Sequence, residues 1–182
     1  MAWSDWAHVI VGTHGSWLPG DPRGFRDHEH RVHSSGDYRC PPPPNEHVGL
    51  LRLALEHCPN AIVIPSDCRV IIAEAIVSKL ANEHAEVRAI CVAGQHAHML
   101  VNVGPGDAKR LIGRAKQLAS HRVRDSMPGT LWSQGCHVVR VRDEPHFRAI
   151  NGYILAHARE GAFVWSNPDL HSRTRSGPAS KD

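Results

Sequence analysis

Apolar and polar positions along the chain fall into blocks with two periods, and the blocks predict a mixed fold. The run AHVIVGT (Ala7 to Thr13) is rich in β-branched residues and stops at glycine and threonine, which predicts a buried strand. From Gly15 to Asn45 the pattern is lost among Gly, Pro, His and charge, with four consecutive prolines at Pro41 to Pro44, so a long irregular arm is expected. Glu46 to Cys58 then carries Val48, Leu51 and Leu55 at helical spacing, and Ala61 to Ile64 reads as a short strand. From Ser66 to Ala85, Val70, Ala73, Val77, Leu80 and Ala81 recur every three to four residues, which predicts a helix with Ser66 as its N-cap.

Two β-type runs, Glu86 to Ala93 and His96 to Val103, flank Gly94-Gln95 and predict a hairpin closed by a two-residue turn. A helix is expected from Asp107 to Asp125, ending before Met127-Pro128-Gly129. The alternation CHVVRVR (Cys136 to Arg142) predicts a strand, and Glu144 to Glu160 a last helix with Gly161 as its C-cap. This order describes an antiparallel sheet with helices on one side, an α+β sandwich of ferredoxin-like character. The expected domain spans 1–165 with its arm at about 15–45, and 166–182 is a polar tail expected to be disordered.

Composition narrows the class. At 182 residues one domain can bury a core without disulfides. The five cysteines are scattered, odd in number and without a C-x-x-C pair, so they suggest a reducing, cytoplasmic setting. No signal peptide is read at the N-terminus, and no stretch approaches the roughly 18 apolar residues of a membrane span, so no membrane partner is expected. The net charge of +3 is unevenly placed: from Asp107 to Glu160 ten Lys/Arg face five Asp/Glu. In the helix from Asp107, Arg110, Arg114, His121 and Arg124 share a stripe with Lys109 and Lys116 beside it, and Arg140 and Arg142 alternate on the last strand. Several such side chains together suit a phosphate backbone, although a charged helix face is also an ordinary solvated surface. Trp17 and Trp132 are the aromatic residues considered for base stacking, against a structural role.

Histidine is over-represented, with fifteen in the chain. His96 and His98 lie two apart on a strand, so their imidazoles point to one face. A pair of imidazoles is either the start of a metal site or two polar residues at a hairpin; a third ligand would favour the first. Tyr153 and His157, four apart in the last helix, share a face and would set a nucleophile beside such a ligand. Tyr153 is otherwise an aromatic residue packed between Ile150 and Ile154. Only Tyr38 and Tyr153 exist in the chain, and Tyr38 falls in the arm, so Tyr153 is the tyrosine available for chemistry. A phenol attacks phosphorus when the phosphate is made more electrophilic, as a divalent cation on His96, His98 and His157 would do.

These residues resemble the HUH single-strand DNA transposases with one catalytic tyrosine, and among them the REP-associated tyrosine transposases. GTHGSWLPGDPRGF (Gly12 to Phe25) is similar to the family's N-terminal signature, GQHAHMLV (Gly94 to Val101) to its H-hydrophobic-H strand, and LWSQG (Leu131 to Gly135) with GYILAH (Gly152 to His157) to its terminal strand and tyrosine helix. The four follow the family's order over about residues 7 to 165. The resemblance implies that His96 and His98 bind a catalytic cation, that Tyr153 forms a 5′-phosphotyrosine leaving a 3′-OH, and that His157 stands at the third ligand, where relatives often carry Gln or Asn. It implies Mg2+ or Mn2+, whereas three imidazoles suit zinc or another transition metal. It implies single-stranded DNA with a hairpin as partner and a homodimer in which Tyr153 serves either its own or its neighbour's histidines. Asp21 or Arg23 would then touch DNA or the tyrosine helix. The alternatives are a DNA-binding protein of the same fold with little turnover, and an unrelated histidine metallohydrolase.

Overall fold

The computed structural model describes residues 2–22 and 45–167, together with Ser35 and Pro43. The tail beyond Asn167 and most of the arm, Arg23 and Tyr38 included, lie outside the described residues. Five strands, β1 (Trp6–Gly12), β2 (Val87–Val92), β3 (His96–Asn102), β4 (His137–Arg140) and β5 (Phe163–Ser166), form one sheet in the order β4-β1-β3-β2-β5 with every neighbouring pair antiparallel. Among the described residues four α-helices accompany it: α1 (Val48–His57), α2 (Ser66–Asn82), α3 (Ala108–Arg122) and α4 (Glu144–Ala156). Strands β1 to β4 with α2 and α3 have the ferredoxin-like order, in which each strand–helix–strand unit skips over one neighbour.

The helices do not all lie on one side, as the sequence suggested. Strand alternation explains why. Val9 and Val11 of β1, Ile90 and Val92 of β2, and Ala97, Met99 and Val101 of β3 join Ile72, Ile76 and Leu80 of α2 and Ile112 and Ala115 of α3 in one buried cluster. The intervening strand positions point the other way. There Trp6, Ala89, Cys91 and Leu100 pack with Phe147, Ile150 and Ile154 of α4. The apolar pattern of a helix predicts that it packs, but not which face of a two-faced sheet it meets.

Local chemistry sets the ends of these elements. The side chain of Asp107 accepts from the backbone N–H of Arg110 and caps α3, and Asp143 accepts from His146 N–H at 2.8 Å and caps α4. Ser66, expected as a cap, is instead the first residue of α2; Pro65 takes the cap position with no side-chain bond, its fixed φ suiting a helix entry. The hairpin has its expected two-residue turn, with Ala93 N–H donating to His96 C=O at 2.8 Å. Ala61 to Ile64 is not a strand, although Ile62 and Ile64 donate to His14 C=O and Gly94 C=O.

Strand β5 was not expected. After α4 a 3-10 turn, His157–Glu160, ends on Gly161 in the left-handed region at φ 78°, which redirects the chain into β5 along the open edge of β2. Arg69 of α2 donates to Gly161 C=O at 2.6 Å and holds that corner. The end of α4 is thereby tied to the sheet.

Candidate metal and tyrosine site

The face of the sheet that carries α4 divides in two. Trp6, Ala89, Cys91 and Leu100 make one part apolar, and the other part carries histidine. On β3, His96 and His98 share the face of Leu100, the two-residue alternation placing both rings toward α4. On α4 and the turn after it, Phe147, Ile150 and Ile154 anchor the helix in the apolar cluster, which sets Tyr153 and His157 over the two strand histidines. The ligand nitrogens of His96, His98 and His157 all lie within 4.8 Å of one another. The rings of His98 and His157 stack at 5.0 Å, and that of His96 lies 4.9 Å from His98 and 5.6 Å from His157.

Tyr153 completes the group. Its ring centroid is 4.7 Å from that of His157 and 5.2 Å from that of His98, both edge-on. At 49% exposure it is not the packed core residue of the alternative reading. His98 and His157 are nearly buried beneath it. The sequence reading missed two neighbours. His8 of β1 lies with Nε2 3.0 Å from His98 Nδ1, and Glu160 sets Oε2 3.1 Å from His157 Nδ1. His8 was an isolated polar position in an apolar strand, and only the pairing of β1 with β3 brings it here. Glu160 was visible as the acid three residues after His157.

Burial governs the electrostatics. It pushes the His98 imidazole down to about 3, with His96, His8 and His157 adding to the shift, and the His8 imidazole down to about 4, with His137, His146 and His157 adding. His96 is lowered by burial and then by His157, against a smaller opposing effect of Glu160. These three rings are neutral at physiological pH and keep nitrogen lone pairs free for coordination. The residues fit a cation for a further reason: His157 Nε2 is buried without a hydrogen-bond partner, a state that leaves a polar atom unsatisfied unless something binds it.

The segments singled out in the sequence meet at one end of the sheet. Gly12 pairs with His96, Thr13 N–H donates to Gln95 C=O at 2.9 Å, and Thr13 forms a bridge with Trp132. Ser133 donates to Gly12 C=O through both its N–H and its hydroxyl. A Cβ on Gly12 would lie 3.0 Å from Ser16 Oγ and 3.4 Å from Ser133 Oγ, so small residues let these loops close around the start of β3. Gly20 presses on α1 in the left-handed region, where a Cβ would come within 2.5 Å of Leu51 N; Asp21 beside it is buried.

The basic residues fare differently. Lys116 does not belong to an anion-facing surface: it is buried, with Nζ donating to Ser133 C=O at 2.7 Å and Gly135 C=O at 2.6 Å, and burial lowers its pKa. Trp132 is also a structural residue, buried and donating to Lys116 C=O, while Trp17 is half exposed. Arg114 pairs with Glu83 at 2.8 Å, and Arg140 donates to Gly104 C=O at 2.6 Å. Lys109, Arg110, Arg124 and Arg142 are exposed. The stripe on α3 belongs to the layer on the opposite side of the sheet from Tyr153.

The site is thus a sheet-borne histidine cluster that could hold a metal ion, with a half-exposed tyrosine against it. Residues 60–157, more than half of the chain, match the sequence model of the family described as IS200-like transposases, and the chain belongs to that family. It is therefore a transposase-family protein, a class of DNA-cleaving enzyme. Among solved structures, that of a REP-associated tyrosine transposase bound to a REP hairpin is similar at a TM-score of 0.48 and 12% identity, covering 87% of this chain and 69% of that one. A protein assigned as a transposase from Deinococcus radiodurans is similar at 0.39 and 16%, covering 83% and 88%. No curated protein matches the chain. No helix among the described residues is long and apolar enough to cross a membrane.

Proposed function

We propose that the protein is a metal-dependent endonuclease and strand transferase of single-stranded DNA that cleaves beside a hairpin and holds the cut end on Tyr153. The observation that carries this reading is the placement of the Tyr153 ring 4.7 Å from His157 and 5.2 Å from His98 in a cluster fit for a cation. A divalent cation on His96, His98 and His157 would supply Lewis-acid polarisation of the scissile phosphate. Mn2+ or Mg2+ is the choice by family resemblance, and an all-nitrogen ligand set also suits zinc.

Tyr153 is the nucleophile. Its Oη forms a bond to phosphorus as the bond to the 3′ oxygen breaks; the phenol loses its proton, the 3′ oxygen gains one, and a 5′-phosphotyrosine and a 3′-OH result. Attack of a 3′-OH on that phosphotyrosine reverses the step and joins the strand. The half-exposed ring lets a DNA backbone approach, while the apolar anchor of α4 holds the phenol in place. Tyrosine and histidines lie on one chain, so each subunit of the proposed homodimer carries a full set. Arg142, exposed just before α4, stands at the other end of that helix from Tyr153, roughly 14 Å along the axis at about 1.5 Å per residue, and with Lys109, Arg110 and Arg124 would bind DNA flanking the reacting phosphate.

Incubation with a labelled hairpin oligonucleotide and Mn2+ or Mg2+, followed by a denaturing gel, tests the reading. A protein–DNA adduct is expected from the wild type and none from Tyr153→Phe, with binding retained. Binding without an adduct in the wild type would point instead to a DNA-binding protein of this fold. Absence of any DNA affinity would overturn both.

A further inference from the structure

We propose that His8 is a positioning residue of the metal centre: it fixes His98 as the tautomer that carries its proton on Nδ1 and turns a bare Nε2 toward His96 and His157. The inference rests on the proposed cation site. A neutral imidazole has one N–H and one lone pair, and which nitrogen holds which is decided by the partner of the other. His98 Nδ1 lies 3.0 Å from His8 Nε2, so one of the two must donate. If His98 donates from Nδ1, its Nε2 is a ligand atom. If His8 donates, the proton of His98 sits on Nε2 and blocks coordination.

The other end of the cluster repeats the arrangement with a different group. His157 Nδ1 faces Glu160 Oε2 at 3.1 Å, and a carboxylate only accepts, so the His157 proton is drawn to Nδ1. That leaves Nε2, the buried atom without a hydrogen-bond partner, as the bare nitrogen. His8 and Glu160 thus play the same part on opposite sides, one from β1 and one from the turn after α4. Outer partners of this kind orient a ligand ring and raise its basicity, and their loss commonly weakens metal binding by about 10- to 100-fold. The rings of His8 and His98 are 28° apart with centroids 5.2 Å apart, close to coplanar, as a nitrogen-to-nitrogen bond in the plane of both rings requires.

The test has two arms. Nitrogen NMR of the imidazoles in the metal-free protein should show His98 protonated on Nδ1 in the wild type and a mixture of tautomers in His8→Ala. Mn2+ titration followed by electron paramagnetic resonance should show binding weakened about 10- to 100-fold in His8→Ala. Recovery is expected in His8→Gln, whose amide oxygen can accept from Nδ1–H. A wild-type His98 protonated on Nε2, or a His8→Ala variant that binds Mn2+ as tightly as the wild type, would overturn the proposal and leave the cation site standing. A wild type that binds no divalent cation would remove the cation reading itself, while the NMR arm would still decide the tautomer. Loss of binding in His8→Ala without recovery in His8→Gln, and with the His98 tautomer unchanged, would assign His8 to packing alone and overturn the positioning role.

Discussion

The two faces of the sheet are built from the same strands, yet one is a closed apolar layer and the other carries the histidine cluster and Tyr153. On β3, Ala97, Met99 and Val101 face α2 and α3 while His96 and His98 face α4; on β1, Val9 and Val11 face the first layer while Trp6 and His8 face the second. Period-two alternation lets adjacent residues serve opposite ends. The α2/α3 layer stabilises the strands, and its rigidity holds the histidines that burial on the other side would otherwise disfavour. The tyrosine face, half apolar and half polar, contributes less to the core and tolerates the unsatisfied nitrogen of His157.

Neighbouring substitutions should separate the two faces, and this is the largest effect expected. Met99→Ala removes a fully buried side chain and should cost about 2–5 kcal/mol of unfolding free energy, read by denaturant titration, without removing a residue of the site. Tyr153→Phe should change stability by no more than about 0.5 kcal/mol and abolish the covalent adduct. If Met99→Ala left stability unaltered, or Tyr153→Phe lowered it as much, the division between a supporting and a reacting face would be wrong.

Cation binding should stabilise through the tyrosine face alone. At a free Mn2+ concentration 100 times the dissociation constant, the folded state should gain about 2.7 kcal/mol, seen as a rise in Tm that EDTA reverses. His157→Ala should abolish that rise. Met99→Leu, on the opposite face, should keep it.

Much of this was legible in the sequence, and what was not had a physical cause. Strand alternation made His96-Ala97-His98 converge, helix periodicity set Tyr153 beside His157, and Gly94-Gln95 marked the hairpin turn. The face chosen by α4 was hidden, because its apolar stripe of Phe147, Ile150 and Ile154 would pack on either side of a sheet. Strand β5 was overlooked since four residues between Gly161 and a polar tail carry little periodic signal, although Phe163, Val164 and Trp165 are typical strand formers. His8 needed the β1–β3 register. Lys116 was misplaced because helical spacing sets a side chain's direction but not what lies there; the LWSQG loop covers it.

Acid should weaken the tyrosine face first. The folded-state values of His98, about 3, and His8, about 4, lie below the ordinary 6.5. Between those values and 6.5 the unfolded chain binds protons that the folded one refuses, so their contribution is full above pH 6.5 and is lost as pH falls toward 4 and then 3. Metal-free protein should therefore lose stability over that window in denaturant titrations at successive pH values. His98→Ala should flatten the loss and Met99→Leu should not. A metal-free wild type equally stable at pH 7 and pH 4 would contradict the burial that separates these rings from solvent.

The smallest effect concerns the basic residues, and it asks how far DNA reaches beyond the tyrosine face. Arg142 precedes α4, whereas Lys109, Arg110 and Arg124 belong to the far layer, so a strand running from Tyr153 along the length of α4 would meet the first but not the others. Each phosphate contact on single-stranded DNA contributes about 0.7 to the slope of log affinity against log salt. With an oligonucleotide just long enough to run from the cleavage point along α4, Arg142→Ala should reduce the slope by about that amount and Arg110→Ala should leave it unchanged. With a longer strand or a hairpin that wraps past the β4 edge, Arg110→Ala should reduce it as well. Lys116→Ala would lower affinity only through the loop it holds, with loss of stability and no change in slope. A slope that responds to Arg110 with the short strand would place the DNA across both layers and erase the division of labour between the two faces.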